Sequence, residues 1–296
     1  MTEPGAGGGP TGPFAFVQLE FGFPLGPREG RYLVRRSEEA APERVLVVAT
    51  GEGERVARGR LRRRGRGRGR AVDAAAPARV PTTLVTLVEA KAFADETTAE
   101  SWLARLRRDD DELARRVEEG MRALNRVLRA HRAAVGDPYV GEVSQSWALA
   151  RRVGFGDGAS LAEGRFAEAV ELPATAPRRT RRPEREGPQQ RLAAVLAGRE
   201  QILICEELVL RARGDVDAER PREAALEARV ALEAMLAELA GEAAVEGALA
   251  AVRERREAVV RAAAAALDGD PPEGGRHAVG EAVERMEEVL RRRHGC

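Results

Sequence analysis

Cysteine, histidine, lysine and aromatic side chains are all scarce in this chain of 296 residues, and each scarcity removes a class of chemistry. Two cysteines, Cys205 and Cys296, cannot build a disulfide framework or a zinc site, and they fit a reducing cytoplasm. Three histidines, His131, His277 and His294, fall at a helix end, in a glycine-rich break and in the terminal tail, so no pair has metal-ligand spacing. No Gly-x-Ser-x-Gly elbow occurs. Aromatics make up 4% of the residues, so the cores must be built mainly from Ala, Leu and Val, a composition that favours helix-on-helix packing. No apolar run approaches the length of a membrane span, and MTEPGAGGGPTGP at the start has neither a basic nor an apolar signal region. The expectation is a cytoplasmic protein with no membrane partner. An excess of either charge is also lacking, with 49 basic against 48 acidic residues, so an electrostatic partner has to be recruited locally.

Arginine is abundant: apart from Lys91 every basic residue is Arg, as in the product of a GC-rich bacterial gene. The length and the 43% apolar content allow two domains with real cores. Residues 1–12 are Gly/Pro-rich and are expected to be a disordered tail. Phe14, Phe16, Leu19, Phe21 and Phe23 then arrive in near alternation, which predicts a strand with an aromatic face. Further strands are expected over Arg31–Arg35, Arg44–Ala49, Thr82–Ala90 and Ala148–Gly154. The unbroken apolar run Val45–Val48 places the strand Arg44–Ala49 away from a sheet edge. A helix capped by Asp95 or Thr97 follows the fourth strand, the acidic run Asp109–Glu112 is either a break or a fresh helix start, and helical spacing continues beyond it to about Val135. A short helix is expected over Ser160–Leu172.

Residues 174–188, ATAPRRTRRPEREGP, look like an interdomain linker. Beyond them the apolar spacing is helical throughout. Gln190–Arg213 carries Leu192, Val195, Leu196, Ile202, Leu203, Val209 and Leu210 and reads as one long helix. Helices ending at Gly241 and at the DGDPPEGG break, and a short last one, complete an up-and-down arrangement. The expected fold class is therefore α+β: a small N-terminal β-sheet with packed helices over 13–173, then a C-terminal all-α antiparallel helical bundle over 189–296.

The strongest candidate for a partner site is the Arg/Gly-rich loop within 51–80, which carries Arg55, Arg58, Arg60, Arg62, Arg63, Arg64, Arg66, Arg68 and Arg70. Guanidinium groups spaced by glycine can follow a phosphate backbone and stack on unpaired bases, so RNA or single-stranded DNA is the expected partner. The competing view is a low-complexity insertion, and the segment lacks interleaved aromatics. A second basic cluster, Arg178, Arg179, Arg181, Arg182 and Arg185, falls in the linker. Gly154, Gly156, Asp157, Gly158 and Ser160 lie between a strand and a helix, where a phosphate-binding turn would belong, but neither GxGxxG nor a P-loop is present. Asp215 and Asp217 are better suited to capping and local ion pairs than to a cation. Arg199 and Glu206 share a helical face and are expected to pair. Tyr139 and Trp147 suit core or lid packing, and Cys205 a place in the core.

No cofactor, metal or catalytic set follows from these residues. The pattern favours a binding or scaffolding protein, possessing nucleic-acid affinity through its arginine-rich loops and associating with a protein partner or with itself through the helical half. The alternatives are an enzyme acting on a phosphorylated or nucleotide substrate at the Gly154–Gly158 turn, and a purely structural homo-oligomer.

Overall fold

A computed structural model describes residues 12–35, 38–54, 79–173 and 182–294, with backbone alone at 52–54, 79–81 and 182–188. The chain divides into two compact units, Met1–Pro177 and Arg178–Cys296. The first is α+β and the second helical.

The first unit is built on a six-stranded antiparallel sheet of order β2-β3-β4-β1-β5-β6. Its strands are β1 (Phe14–Phe21), β2 (Gly30–Val34), β3 (Arg44–Glu54), β4 (Arg79–Ala92), β5 (Ala148–Gly156) and β6 (Glu168–Glu171). Alternation along β1 puts Val17, Leu19 and Phe21 on one face, where they meet Leu46, Val48, Val85, Leu87, Val153 and Phe155. Two helices cover that face: α1 (Glu96–Leu106) through Leu103 and Leu106, and α2 (Asp110–Val135) through Leu113, Val117, Met121, Leu124 and Leu128. Each Leu removed from water in this way contributes roughly 1.5–3 kcal/mol. At the crossing of α2 over β1, a Cβ on Gly120 would stand 2.7 Å from Val17 Cγ1, so glycine in mid-helix is what lets the two backbones approach.

Both helix starts use aspartate. Asp95 accepts from the Thr98 amide at 2.7 Å and Asp109 from the Glu112 amide at 2.9 Å, so the acidic run opens a helix. Gly136, with φ of 66°, closes α2 in the left-handed conformation.

The opposite face of the sheet gathers Phe16, Val88 and Leu161, with Phe14, Val45 and Ala169 against them. Gln18 is buried there and satisfied: its amide donates to Thr86 Oγ1 at 3.2 Å and to the Gly164 carbonyl at 2.9 Å, and it accepts from Arg152 Nη1 at 3.2 Å. The expected helix over Ser160–Leu172 does not form. A single turn, α3 (Gly158–Leu161), gives way at Gly164 to strand β6, which pairs with β5 from Phe155↔Glu168 to Arg152↔Glu171. Ala and Glu lend this segment a helical look, and the unpaired edge of β5 overrides it.

In the second unit the long helix expected over Gln190–Arg213 is two helices, α4 (Arg182–Leu196) and α5 (Ile204–Asp217). Gly198, at φ of 68°, stops the first, with the amides of Gly198 and Arg199 returning to the carbonyls of Val195 and Ala194 at 3.0 and 2.9 Å. Consequently the apolar stripe is split: Val209 is buried, while Leu192, Leu196, Ile202 and Leu210 are exposed. Residues 182–188, at the end of the expected linker, carry helical backbone. Helices α5, α6 (Pro221–Glu238), α7 (Glu246–Asp268) and α8 (Glu273–His294) pack through Cys205, Val209, Leu232, Met235, Leu249, Val252, Val259, Val279, Val283 and Met286. Alanines 224, 225, 228, 231, 262, 266 and 282 line the same core, allowing the close approach that the composition requires. Helix ends are capped from neighbouring helices. Glu238 accepts from the amides of Ile204 and Cys205 at 3.1 and 2.8 Å, and Arg222 donates to the carbonyls of Ala266 and Leu267 at 2.8 and 3.1 Å.

No helix among the described residues is long and apolar enough to cross a membrane.

Candidate functional site

The arginine segment is held by the longest hairpin of the sheet. β3 and β4 stay in register from Arg44↔Glu89 to Glu54↔Arg79, further than the expected strand ends at Ala49 and Thr82. β1 ends at Phe21↔Thr83 and β5 meets it there through Ala148, so the pairs from Gly51↔Thr82 to Glu54↔Arg79 run on past their neighbours. At about 3.3 Å per residue this extension is roughly 13 Å long. Arg58, Arg60, Arg62, Arg63, Arg64, Arg66, Arg68 and Arg70 lie in the connection between Glu54 and Arg79, outside the described residues, as do Arg178, Arg179 and Arg181. Arg182 is described only as the first residue of α4.

Tyr139 and Trp147 are not core residues: Tyr139 is 93% exposed and Trp147 is 54% exposed. Both belong to the connection between α2 and β5. Asn125 on α2 fixes it by donating to the Val143 carbonyl at 3.0 Å and accepting from the Val143 amide at 2.9 Å. Trp147 ends a single 3-10 turn capped by Ser144, and its ring meets Phe23 edge-on with centroids 6.3 Å apart.

At the glycine-rich turn, Asp157 Oδ1 accepts from the amides of Ala159 and Ser160 at 3.0 and 2.9 Å. The Ser160 bonds hold the Asp157 carboxyl below its ordinary value. Those amides are the ones a phosphate would use, and an anion there would have to displace the aspartate. Gly154 and Gly156 answer a packing demand, since a Cβ on either would run into β6 or into Leu161 and Phe166.

Glu206 is the centre of a charge cluster that sequence reasoning did not assemble. Its expected partner Arg199 is not among its ligands. Instead Arg191 Nη2 donates to Oε2 at 2.6 Å, while Arg293 Nη1 and His294 Nε2 lie 3.1 Å from Oε1. Arg191 also binds Glu200 at 2.7 Å, an ion pair that raises the Arg191 pKa and lowers that of Glu200. Arg293 reaches Glu242 at 3.3 Å. The Glu206 partners Arg191, Arg293 and His294, with Glu200, Glu242, Leu192, Val195 and Ile202, line an open cleft of about 900 Å³. The residues come from opposite ends of the helical half, and no spacing in the sequence announces them.

The remaining candidates are structural. Asp215 receives Arg220 Nε at 2.6 Å, and Arg213 makes a two-pronged pair with Glu287 at 2.8 and 2.9 Å. Cys205 is buried, and burial together with the neighbouring Glu238 pushes its thiol up to about 12. Among the described residues no group of His, Cys, Asp and Glu could hold a metal ion. No protein family, no curated protein and no solved structure matches this chain.

Proposed function

We propose that the protein is a binding or scaffolding protein that contacts RNA or single-stranded DNA through the arginine segment 55–70. What carries the reading is the β3–β4 ladder. It remains paired up to Glu54↔Arg79, so nine arginines leave and re-enter a rigid sheet at one place. A basic loop on a fixed scaffold suits a flexible polyanion, because the scaffold limits the entropy lost on binding to the loop itself. A cytoplasmic location belongs to this reading. Its test is fluorescence anisotropy with labelled U15 and dT15 over a salt series. Affinity should fall with a log-log slope of about −0.7 per contacted phosphate, hence roughly −3.5 for five contacts. Deletion of residues 55–70 leaves 71–78 to join the strands, a change a hairpin tolerates, and should remove most of the affinity. Unchanged affinity after that deletion defeats the reading.

A second reading concerns the helical half, as a surface for self-association. Leu192, Val195 and Ile202 line the open cleft together, and Leu196 and Ile204 are exposed nearby in sequence. Light scattering on the full chain should then report an oligomer that truncation after residue 186 reduces to a monomer.

A further inference from the structure

Single-strand binding usually joins guanidinium groups to aromatic side chains on which bases stack, and the arginine segment 55–70 contains no aromatic residue. The first unit carries exposed aromatics elsewhere, and its topology brings two of them, Tyr139 and Trp147, to the end of the sheet from which that segment emerges.

The placement follows a chain of contacts. Thr83 Oγ1, on the strand that continues to Arg79, donates to the Phe23 carbonyl at 2.9 Å. The Phe23 ring in turn backs Trp147. Three residues on from Phe23, a Cβ on Gly26 would stand 3.0 Å from the His131 ring and 3.9 Å from Val140, so the last turns of α2 and the start of the Tyr139 loop end here too. On those turns Arg126, Arg129 and Arg132, with Ala130 and Ala133, line an open depression of about 370 Å³.

Charge at this end is compensated only in part. At the start of α2, Arg115 and Arg116 are both tied to Glu112. Among the described residues neither Arg126 nor Arg132 has a carboxylate partner, while Arg129 pairs with Glu142. The other acid nearby, Asp137, accepts from the Tyr139 amide at 2.9 Å, which fixes the backbone beneath the ring. Tyr139 and Trp147 are therefore held by an anchored loop while their rings stand in water, at 93% and 54% exposure. Leaving two rings in water gives up apolar burial that a purely structural role would have used.

We propose that Tyr139 and Trp147, with Arg126, Arg129 and Arg132, form a stacking platform for an unpaired polynucleotide, the arginines binding phosphates and the rings receiving bases. The proposal rests on the nucleic-acid reading above and adds to it the part the arginine segment lacks. Stacking does not read the 2′-hydroxyl, so RNA and DNA strands of equal length should bind alike at this surface.

The experiment uses the full chain. Trp102→Phe leaves Trp147 as the sole tryptophan, and its fluorescence should be quenched as U15 or dT15 is added. In anisotropy titrations Tyr139→Ala and Trp147→Ala should each weaken binding by roughly five- to a hundredfold. The triple variant Arg126→Gln/Arg129→Gln/Arg132→Gln should lower the salt slope by about 2, and the corresponding lysine variant should restore it. Tyr139, Trp147, Arg126 and Arg132 are exposed, Arg129 is half-buried and Trp102 packs against the core, so far-ultraviolet circular dichroism verifies the fold of each variant. If deletion of 55–70 abolishes binding but both alanine variants bind as tightly as the parent, the platform is wrong and the arginine-segment reading stands. If the alanine variants lose affinity and the deletion does not, the platform stands and the arginine-segment reading fails. Loss of poly-glutamate binding in the same variants, with oligonucleotide binding unchanged, would identify an acidic polypeptide as the partner and overturn the proposal.

Discussion

A Cβ on Gly154 would stand 2.1 Å from the carbonyl oxygen of Glu168, so β5 and β6 meet there with no space for any side chain. Gly154→Ala must push β6 off the sheet edge. The ladder from Phe155↔Glu168 to Arg152↔Glu171 would go with it. We expect a loss of about 3 kcal/mol, at the upper end for overpacking because the obstacle is backbone. Both tryptophans, Trp102 and Trp147, lie in this unit, so their fluorescence in urea measures the loss there alone. A midpoint equal to that of the parent protein would contradict the packing.

Glu206 in the helical unit has a side chain only 6% exposed and answers to Arg191, Arg293 and His294 together. Glu206→Gln removes the charge but keeps the shape, leaving two guanidinium groups facing a neutral amide. Removing one partner of a fully buried pair costs about 3–5 kcal/mol. Arg191 and Arg293 keep some contact with water, which moves the expectation to roughly 2 kcal/mol. The helical signal at 222 nm during thermal unfolding should show the decrease, with the tryptophan transition unaffected.

Helix α5 starts at Leu203 without a side-chain cap of its own and takes Glu238 from α6 in its place. Glu238→Ala should cost about 1 kcal/mol, as for other lost caps. The same carboxylate sets an acid limit. Burial opposes its charge, but the amide and thiol of Cys205 outweigh that and hold its pKa below the ordinary 4.5. A carboxyl depressed by folding stabilises fully above its unfolded value, and the benefit disappears as pH falls through the folded one. Acid titration of the 222 nm signal should therefore show helical loss beginning below pH 4.5, and Glu238→Ala should flatten that limb.

The thiol of Cys205 behaves in the opposite sense. Burial and Glu238 push it from 9.0 up to about 12, so the folded protein retains its proton more strongly than the unfolded chain. Its contribution is complete below pH 9.0 and is lost as pH rises toward 12. Iodoacetamide at pH 8 should leave Cys205 unmodified in the native protein and label it in urea, as peptide mass spectrometry would register. Rapid labelling of the native protein would mean that the α5–α6 interface opens.

Composition and spacing alone determined much of the architecture. Alternating aromatics made β1, the apolar run Val45–Val48 made a strand paired on both sides, a cap at Asp95 was one of two choices for α1, and glycines and prolines separated the helices of the second half. These are local effects, decided within a few residues by backbone preference and capping. The two strands flanking the arginine segment were legible for the same reason, since each is an apolar, β-branched run, while their pairing into one hairpin is a tertiary fact.

Tertiary structure alone decided the rest. Ser160–Leu172 has helical composition yet ends as β6, because pairing with β5 satisfies a row of backbone groups that composition does not represent. The stretch Gln190–Arg213 has one helical period but two helices, because Gly198 turns left-handed and Glu238, from another helix, starts the next. The Glu206 cluster joins Glu206 to His294, 88 positions further on, and Trp147 reaches the base of the β3–β4 hairpin through Phe23 and Thr83. Sequence spacing describes neighbours along one element. A site drawn from several elements exists only once packing has chosen which faces meet.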